Sequence, residues 1–470
     1  MRGQHGRQPV PGDCQGAECP LAARVRAPAP SPSPRLWRGS PPSPRGGEGK
    51  WLHATLTALL LLTAPVTAHA ADSLDNRIGE ALFRRMWVAA PTATQAADGL
   101  GPLYNARSCA TCHPRGAGGR PPDPAVKDDQ GVGYAIKLNA DPVYGRQIQS
   151  NAIPGQLVEG RPRVTYREET VRFPDGETVR LRHPTPVVED LGYGPLAEAT
   201  VMSARVPPRV HGMGLLDRIP AEAIEAEAAR QAASGGPAAG RVNYVTVDGK
   251  RQVGRFGWKA MHPTLDHQDA EAFSLDIGMS TPAFPEPWGD CTPEQTACRN
   301  APHGDSKQFE GLEIPSTVIG LIDGYLRDLP PDGSLEAPKD KAGTALFADT
   351  GCTACHRPSW RTGEDAEHPS LSNRDIFPHS DMLLHDLGPG LGDRLPMGEA
   401  NGSDWRTTPL WGLNRLAAKD GQLSLLHDGR ARSVTEAILW HGGEAEAAKD
   451  RFKSLPGADR KRLVRYVLGL

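Results

Sequence analysis

The residues best suited to chemistry are two Cys-x-x-Cys-His runs, Cys109-Ala110-Thr111-Cys112-His113 and Cys352-Thr353-Ala354-Cys355-His356. One helical turn carries both thiols of such a run to one side and points the next residue inward. In that geometry two cysteines can add to the vinyl groups of a haem while the histidine binds its iron. A zinc site would want a second Cys-x-x-Cys nearby, and a thioredoxin-like pair has no need of the histidine. The runs stand far apart and both have it. Two covalently bound haem c groups are therefore expected, with His113 and His356 as iron ligands.

The elements that must position these runs show a weak duplication. Gly79-Glu80-Ala81-Leu82-Phe83 precedes the first run and Gly343-Thr344-Ala345-Leu346-Phe347 the second, each an amphipathic helical start. A closing helix from Pro456 to Leu470 presents Leu463, Val464, Val467 and Leu468 on one face. The expected fold is mainly α, with two cytochrome c-type domains at 71–334 and 335–470. The first is enlarged by a β-hairpin and loop-rich insertion at about 140–250. There Arg163-Val164-Thr165-Tyr166 and Thr178-Val179-Arg180-Leu181 flank the turn Pro174-Asp175-Gly176.

Composition sets the bounds. The 470 residues carry a net charge of -3, which gives no reason to expect nucleic acid or an anionic membrane as partner. The 52 Gly and 45 Pro favour long ordered loops. Residues 1–48 are low-complexity and too polar to fold alone. Lys50, the apolar run Leu56 to Val66 and Ala68-His69-Ala70 have the order of a secretory signal over 49–70, which implies the periplasm. An uncleaved N-terminal anchor is the alternative. Since the signal lies fifty residues in, residues 1–48 are expected to come from a start codon assigned too early. Beyond the signal, Cys291 and Cys298 bracket a short Pro-containing loop and read as a local disulfide in an oxidising compartment.

Several further segments give the chain a family likeness. They are Asp98-Gly99-Leu100-Gly101-Pro102-Leu103-Tyr104-Asn105-Ala106-Arg107-Ser108, Asp141-Pro142-Val143-Tyr144-Gly145, Leu383-Leu384-His385-Asp386, Arg406-Thr407-Thr408-Pro409-Leu410-Trp411-Gly412, His427-Asp428-Gly429-Arg430-Ala431 and Trp440-His441-Gly442-Gly443-Glu444-Ala445. With the two runs they resemble the di-haem oxidoreductase branch of the bacterial di-haem cytochrome c peroxidase and MauG-like superfamily. That superfamily places the sixth ligand of its second iron fourteen residues past the His of a His-Asp-Gly turn. The resemblance thus implies His441, with His385 and Met382 as rivals. His427 itself is expected to hold a loop.

For the first iron, the resemblance implies a Trp between the haems, a Gln ten residues later and an acidic residue over the open face. Here these are Trp258, Gln268 and Asp276. Asp276 departs from the pattern in being Asp and in falling two residues closer to the Gln. Where many peroxidases carry a removable His ligand, this chain has Asp129, and the next histidines are His183, His211, His262 and His267. The implied activity is peroxidase-like. Hydrogen peroxide or another small oxidant would react at the first haem, with electrons from small redox proteins or quinol-linked donors through the second. Alternatives are oxidation of a protein or small molecule, or plain electron transfer. Calcium between the domains is left open.

Overall fold

A computed structural model describes residues 68–333, 335–416 and 423–470, all within the unit Pro65–Leu470. The low-complexity segment 1–48 and most of the 49–70 signal lie outside the described residues, and Ala68-His69-Ala70 opens the first helix, Ala68–Arg84. Among the described residues no helix is long and apolar enough to cross a membrane.

The duplication extends further in space than in sequence. The helix Ala68–Arg84 crosses Ser316–Asp328 at Gly79, where a Cβ would stand 2.1 Å from the Leu321 carbonyl oxygen, so only glycine permits the approach. In the second half Lys341–Asp349 meets Gly457–Leu468 at Gly343, against the Tyr466 ring. Phe83 lies 5.5 Å from Tyr325 and 6.4 Å from His113 between ring centroids. Phe347 lies 5.5 Å from Tyr466 and 6.3 Å from His356. The same Gly–Phe–Tyr packing therefore stands behind each motif histidine. Of the predicted closing face, Leu463 and Val467 are buried and Val464 and Leu468 partly so.

The expectation of a mainly α chain needs correcting to a mixed one. Among the described residues, strands pair in six small sheets, and they occur in the second half as well as in the insertion, as in Leu384–Asp386 with Asp404–Arg406. The glycines and prolines interrupt helices and leave short extended pieces, which pair wherever two meet. The predicted hairpin is present and longer than expected, Arg161–Arg172 against Thr178–Glu189. Its tip closes by Phe173 N–H to Glu177 O at 2.8 Å, with Gly176 at φ 89°. Phe173 and Leu181 join the core of the second half, where Phe173 meets Phe452 edge-on at 6.1 Å. Arg460 pairs there with Asp175 and Glu177. The hairpin thus reaches across to the second half.

A three-stranded antiparallel sheet joins Gly145–Gln147, Ala135–Asp141 and Met202–Arg205. Along its central strand Ile136 and Leu138 are buried in the core, while Ala135 and Lys137 turn to a cavity.

Candidate haem sites

Two cavities of about 360 and 380 Å³ hold the Cys-x-x-Cys-His runs, one each. In the first, Cys109–Cys112 forms a single helical turn whose Ser108 Oγ accepts the Thr111 N–H at 3.2 Å. Desolvation pulls the His113 imidazole down to about 4, and its Nδ1 is buried without a hydrogen-bond partner. Desolvation also pushes the Cys112 and Cys352 thiols up to about 12, and raises Cys109 and Cys355. A redox dithiol needs the opposite shift. These thiols instead sit neutral beside neutral imidazoles.

The helix Leu265–Ala272 runs into a π-helical turn, Phe273–Ile277, and together they supply Gln268, Glu271 and Asp276 to the first cavity. An unbroken α-helix would set Asp276 about 80° round from Gln268. The wider π turn rotates less per residue and returns Asp276 towards the same face. This compensates for the shortened spacing seen in the sequence. Asp276 Oδ1 accepts from Gln147 Nε2 at 2.8 Å, and its carbonyl accepts the Asn105 and Ala106 N–H groups at 2.8 and 3.0 Å. Asn105 and Ala106 lead into the first run, so the backbone of the acid is tied to the segment that carries the motif.

Two cavity carboxyls are driven in opposite directions. Desolvation raises Asp276 against the pull of Lys137 and Gln147. Desolvation pushes Glu271 up too, but His262, Lys137 and Arg146 outweigh it and hold Glu271 below the usual carboxylate range. His262 Nε2 meets Glu271 at 3.0 Å, and its Nδ1 meets His267 Nδ1 at 2.8 Å. Lys137, Gln147 and Glu271 were not singled out from the sequence, and His262 was noted there only as one of the histidines that follow Asp129. Glu271 was within reach there, one helical turn past Gln268; the strand residues come close only through tertiary folding.

The candidate distal histidines are occupied elsewhere. His211 and His262 line the cavity, but both ring nitrogens of His211 lie against the carbonyls of Pro330 and Arg115 at 3.0 and 2.9 Å. His183 pairs with Glu169 on the hairpin, and His267 is not part of the lining. Asp129 pairs with Arg120 at 2.6 Å.

The second cavity brings His356 and His441 together, ring centroids 6.5 Å apart and tilted 49°. His356 donates Nδ1–H to the His379 carbonyl at 2.9 Å, and His441 donates Nδ1–H to the Ala437 carbonyl at 2.7 Å. Nε2 is thereby left to each ring as the metal-binding nitrogen. Desolvation lowers both, His356 to about 4. His385 lines this cavity with both nitrogens engaged, Nε2 with Asp381 at 2.8 Å and Nδ1 with Glu444 at 2.7 Å. Met382 is buried outside the lining. His427 stacks on Trp405 at 3.8 Å, and its carbonyl accepts the Val206 N–H.

Trp258 lines both cavities. Its indole N–H donates to Val206 O at 2.7 Å, its carbonyl accepts Arg406 N–H at 2.9 Å, and Arg406 Nε donates to the neighbouring Gly257 O at 3.1 Å.

The model of the family described as di-haem oxidoreductase, putative peroxidase, matches residues 159–470. The chain belongs to this family. The match spans Trp258, Gln268, Asp276, the second run and His441, and starts beyond the first run. As a di-haem oxidoreductase the chain takes haem, and its residues fit that group. Each cavity has two neutral thiols beside a neutral imidazole. The 6.5 Å between His356 and His441 is roughly two metal–nitrogen bonds of about 2.0–2.1 Å plus the two ring radii. No curated protein is matched. Among solved structures, hydrazine synthase from Kuenenia stuttgartiensis, pressurized with xenon, aligns at 14% identity over 91% of this chain and 100% of its own, with a TM-score of 0.27. Among the described residues no group of three or more His, Cys, Asp or Glu side chains is placed to hold a metal ion.

Proposed function

We propose that this chain is a periplasmic di-haem c-type peroxidase, exported by the 49–70 signal, that reduces hydrogen peroxide with electrons from small redox proteins or quinol-linked donors. Cys109 and Cys112 attach one haem and Cys352 and Cys355 the other, within two cytochrome c-type halves at 71–334 and 335–470. The repeated Gly–Phe–Tyr packing behind His113 and His356 supports that division. When bound, the haems would supply irons that exchange electrons and react with peroxide.

The asymmetry of the two cavities carries this reading. In the second, His441 stands opposite His356, which suits an iron closed on both faces. In the first, no described imidazole is free to face His113, and a carboxyl, a carboxamide and an ionised glutamate line the space instead. Turning peroxide into two waters takes up two electrons and two protons, so a group that holds and returns a proton is needed. Asp276, with its raised affinity for a proton, takes the peroxide proton and delivers it to the departing oxygen. Gln268 orients peroxide by hydrogen bonding, and Gln147 fixes the Asp276 carboxyl. Trp258 provides the aromatic path between the cavities.

The test is the electron paramagnetic resonance spectrum of the resting holoprotein, followed by peroxide. Coexisting high-spin and low-spin signals with a rapid Soret shift are expected. A wholly low-spin spectrum without any response to peroxide would leave only an electron-transfer cytochrome.

A further inference from the structure

Arg209 and Arg406 line both cavities, and neither forms an ion pair with any described residue. Arg406 is 5% exposed. It uses Nε on Gly257 O and Nη1 on Thr407 O at 3.1 Å each, with Met382 Sδ at 3.9 Å, and its Nη2 has no partner among the described residues. Arg209 donates to the carbonyls of Trp411 and Pro409. Desolvation pulls both guanidinium groups down to about 10, with only the more distant Asp381 and Asp332 opposing it. Backbone carbonyls satisfy some of the N–H groups but leave the two charges uncompensated, an expensive arrangement in a protein interior.

A third arginine, at the first cavity, is ion-paired but has a donor to spare. Arg205 gives Nη2 to Asp393 at 2.6 Å, a carboxylate it shares with Lys259, while its Nη1 is buried with no hydrogen-bond partner among the described residues. Three guanidinium groups with donors or charge to spare thus stand at or beside the wall where the cavities meet. That shared wall also contains Trp258 and Pro409, and none of the four motif thiols. Haem attached through its vinyl groups turns its two propionate carboxylates to the edge away from those thiols. The missing anions and the missing donors' targets are then the same groups.

We propose that Arg209 and Arg406 bind haem propionates at the wall between the two sites, with Arg205 Nη1 adding a donor on the side of the first haem. Bidentate pairing of guanidinium with carboxylate supplies the counter-charge that the chain itself does not. The inference rests on haem being bound and not on the peroxide chemistry.

The experiment compares the holoprotein with its Arg406→Gln and Arg406→Lys variants by haemochrome assay, intact mass and spectroelectrochemical titration. Removing the cation beside a propionate favours the oxidised iron. Arg406→Gln should therefore shift at least one reduction equilibrium about tenfold towards the oxidised form, about 59 mV for one electron, while Arg406→Lys keeps most of the original value. A folded Arg406→Gln protein with two attached haems and unchanged potentials would overturn the proposal. If that variant does not accumulate, resonance Raman of the unaltered protein decides. A propionate bending band at its hydrogen-bonded position and fixed between about pH 5 and 8 supports the pairing, and one that moves with pH refutes it. A protein without haem absorbance would refute haem binding itself, whatever the arginines do.

Discussion

The rings of His356 and His441 stand 6.5 Å apart with each Nδ1 tied to a backbone carbonyl, of His379 and of Ala437. Both imidazoles are thus fixed in tautomer and orientation before any metal arrives. If they share one iron, His441→Ala converts the low-spin signal of the second site to high spin and leaves the first site's spectrum alone. His441→Met keeps six ligands but raises the second potential, since thioether ligation favours ferrous iron. Electron paramagnetic resonance with a redox titration reads both. An unchanged low-spin signal in His441→Ala would rule this ligand out.

Asp276 gives the second prediction. Its pKa lies above the ordinary aspartate value because desolvation outweighs the pull of Lys137 and Gln147. Taking a proton from peroxide requires the ionised carboxylate. The rate should therefore fall on acidification at a pH above about 3.9, the unperturbed value. Asp276→Asn should remove that acid limb and slow peroxide turnover about 10²- to 10⁴-fold, with both haem spectra retained. Stopped-flow rates across pH test it, and an Asp276→Asn protein of full activity would contradict the assignment.

How much of this was legible in the chain depended on the range of the interactions involved. The two runs are local, and so was the hairpin, because alternating residues about Pro174-Asp175-Gly176 determine their own pairing. Phe83 and Phe347 were visible as a repeated lead-in, yet their partners Tyr325 and Tyr466 were not, since each lies in a helix far along the chain. The mainly α expectation failed for the same reason. Two-residue strands such as Trp360–Arg361 with Asp375–Ile376 have too little pattern to announce themselves. In the site, the spacing of Gln268 and Asp276 was readable but the π turn that reconciles it was not. Lys137 and Gln147 face each other across a local pair of strands, but the Asp276 carboxyl they approach lies far along the chain.

Trp258 gives the third. The indole lines both cavities and is held by a 2.7 Å hydrogen bond to Val206 O. Trp258→Phe retains an aromatic ring but gives up that bond, a loss of about 0.5–1.5 kcal/mol in stability. The first site should still respond to peroxide at its original rate, while electron equilibration with the second slows. Following the two Soret components separately after mixing would show this. Equal slowing of both phases would mean that Trp258 shapes the first cavity rather than linking the two.

His385 gives the fourth, and it separates structure from ligation. The imidazole is 1% exposed, between Asp381 and Glu444 at 2.8 and 2.7 Å. Burial opposes its charge, but Asp381, Cys355 and Glu444 prevail and hold it protonated up to about 12. The unfolded chain releases that proton near 6.5. The stabilisation is therefore complete below about pH 6.5 and is lost progressively as pH rises from there towards the folded value. The urea midpoint should decline between about pH 7 and 10. Replacing His385 by Gln should flatten that decline and, by leaving a buried carboxylate without its cation, cost about 3–5 kcal/mol. Because His385 has no nitrogen to spare, the low-spin signal of the second haem should survive the change. Its disappearance in a folded His385→Gln protein would transfer the sixth-ligand role from His441 to His385.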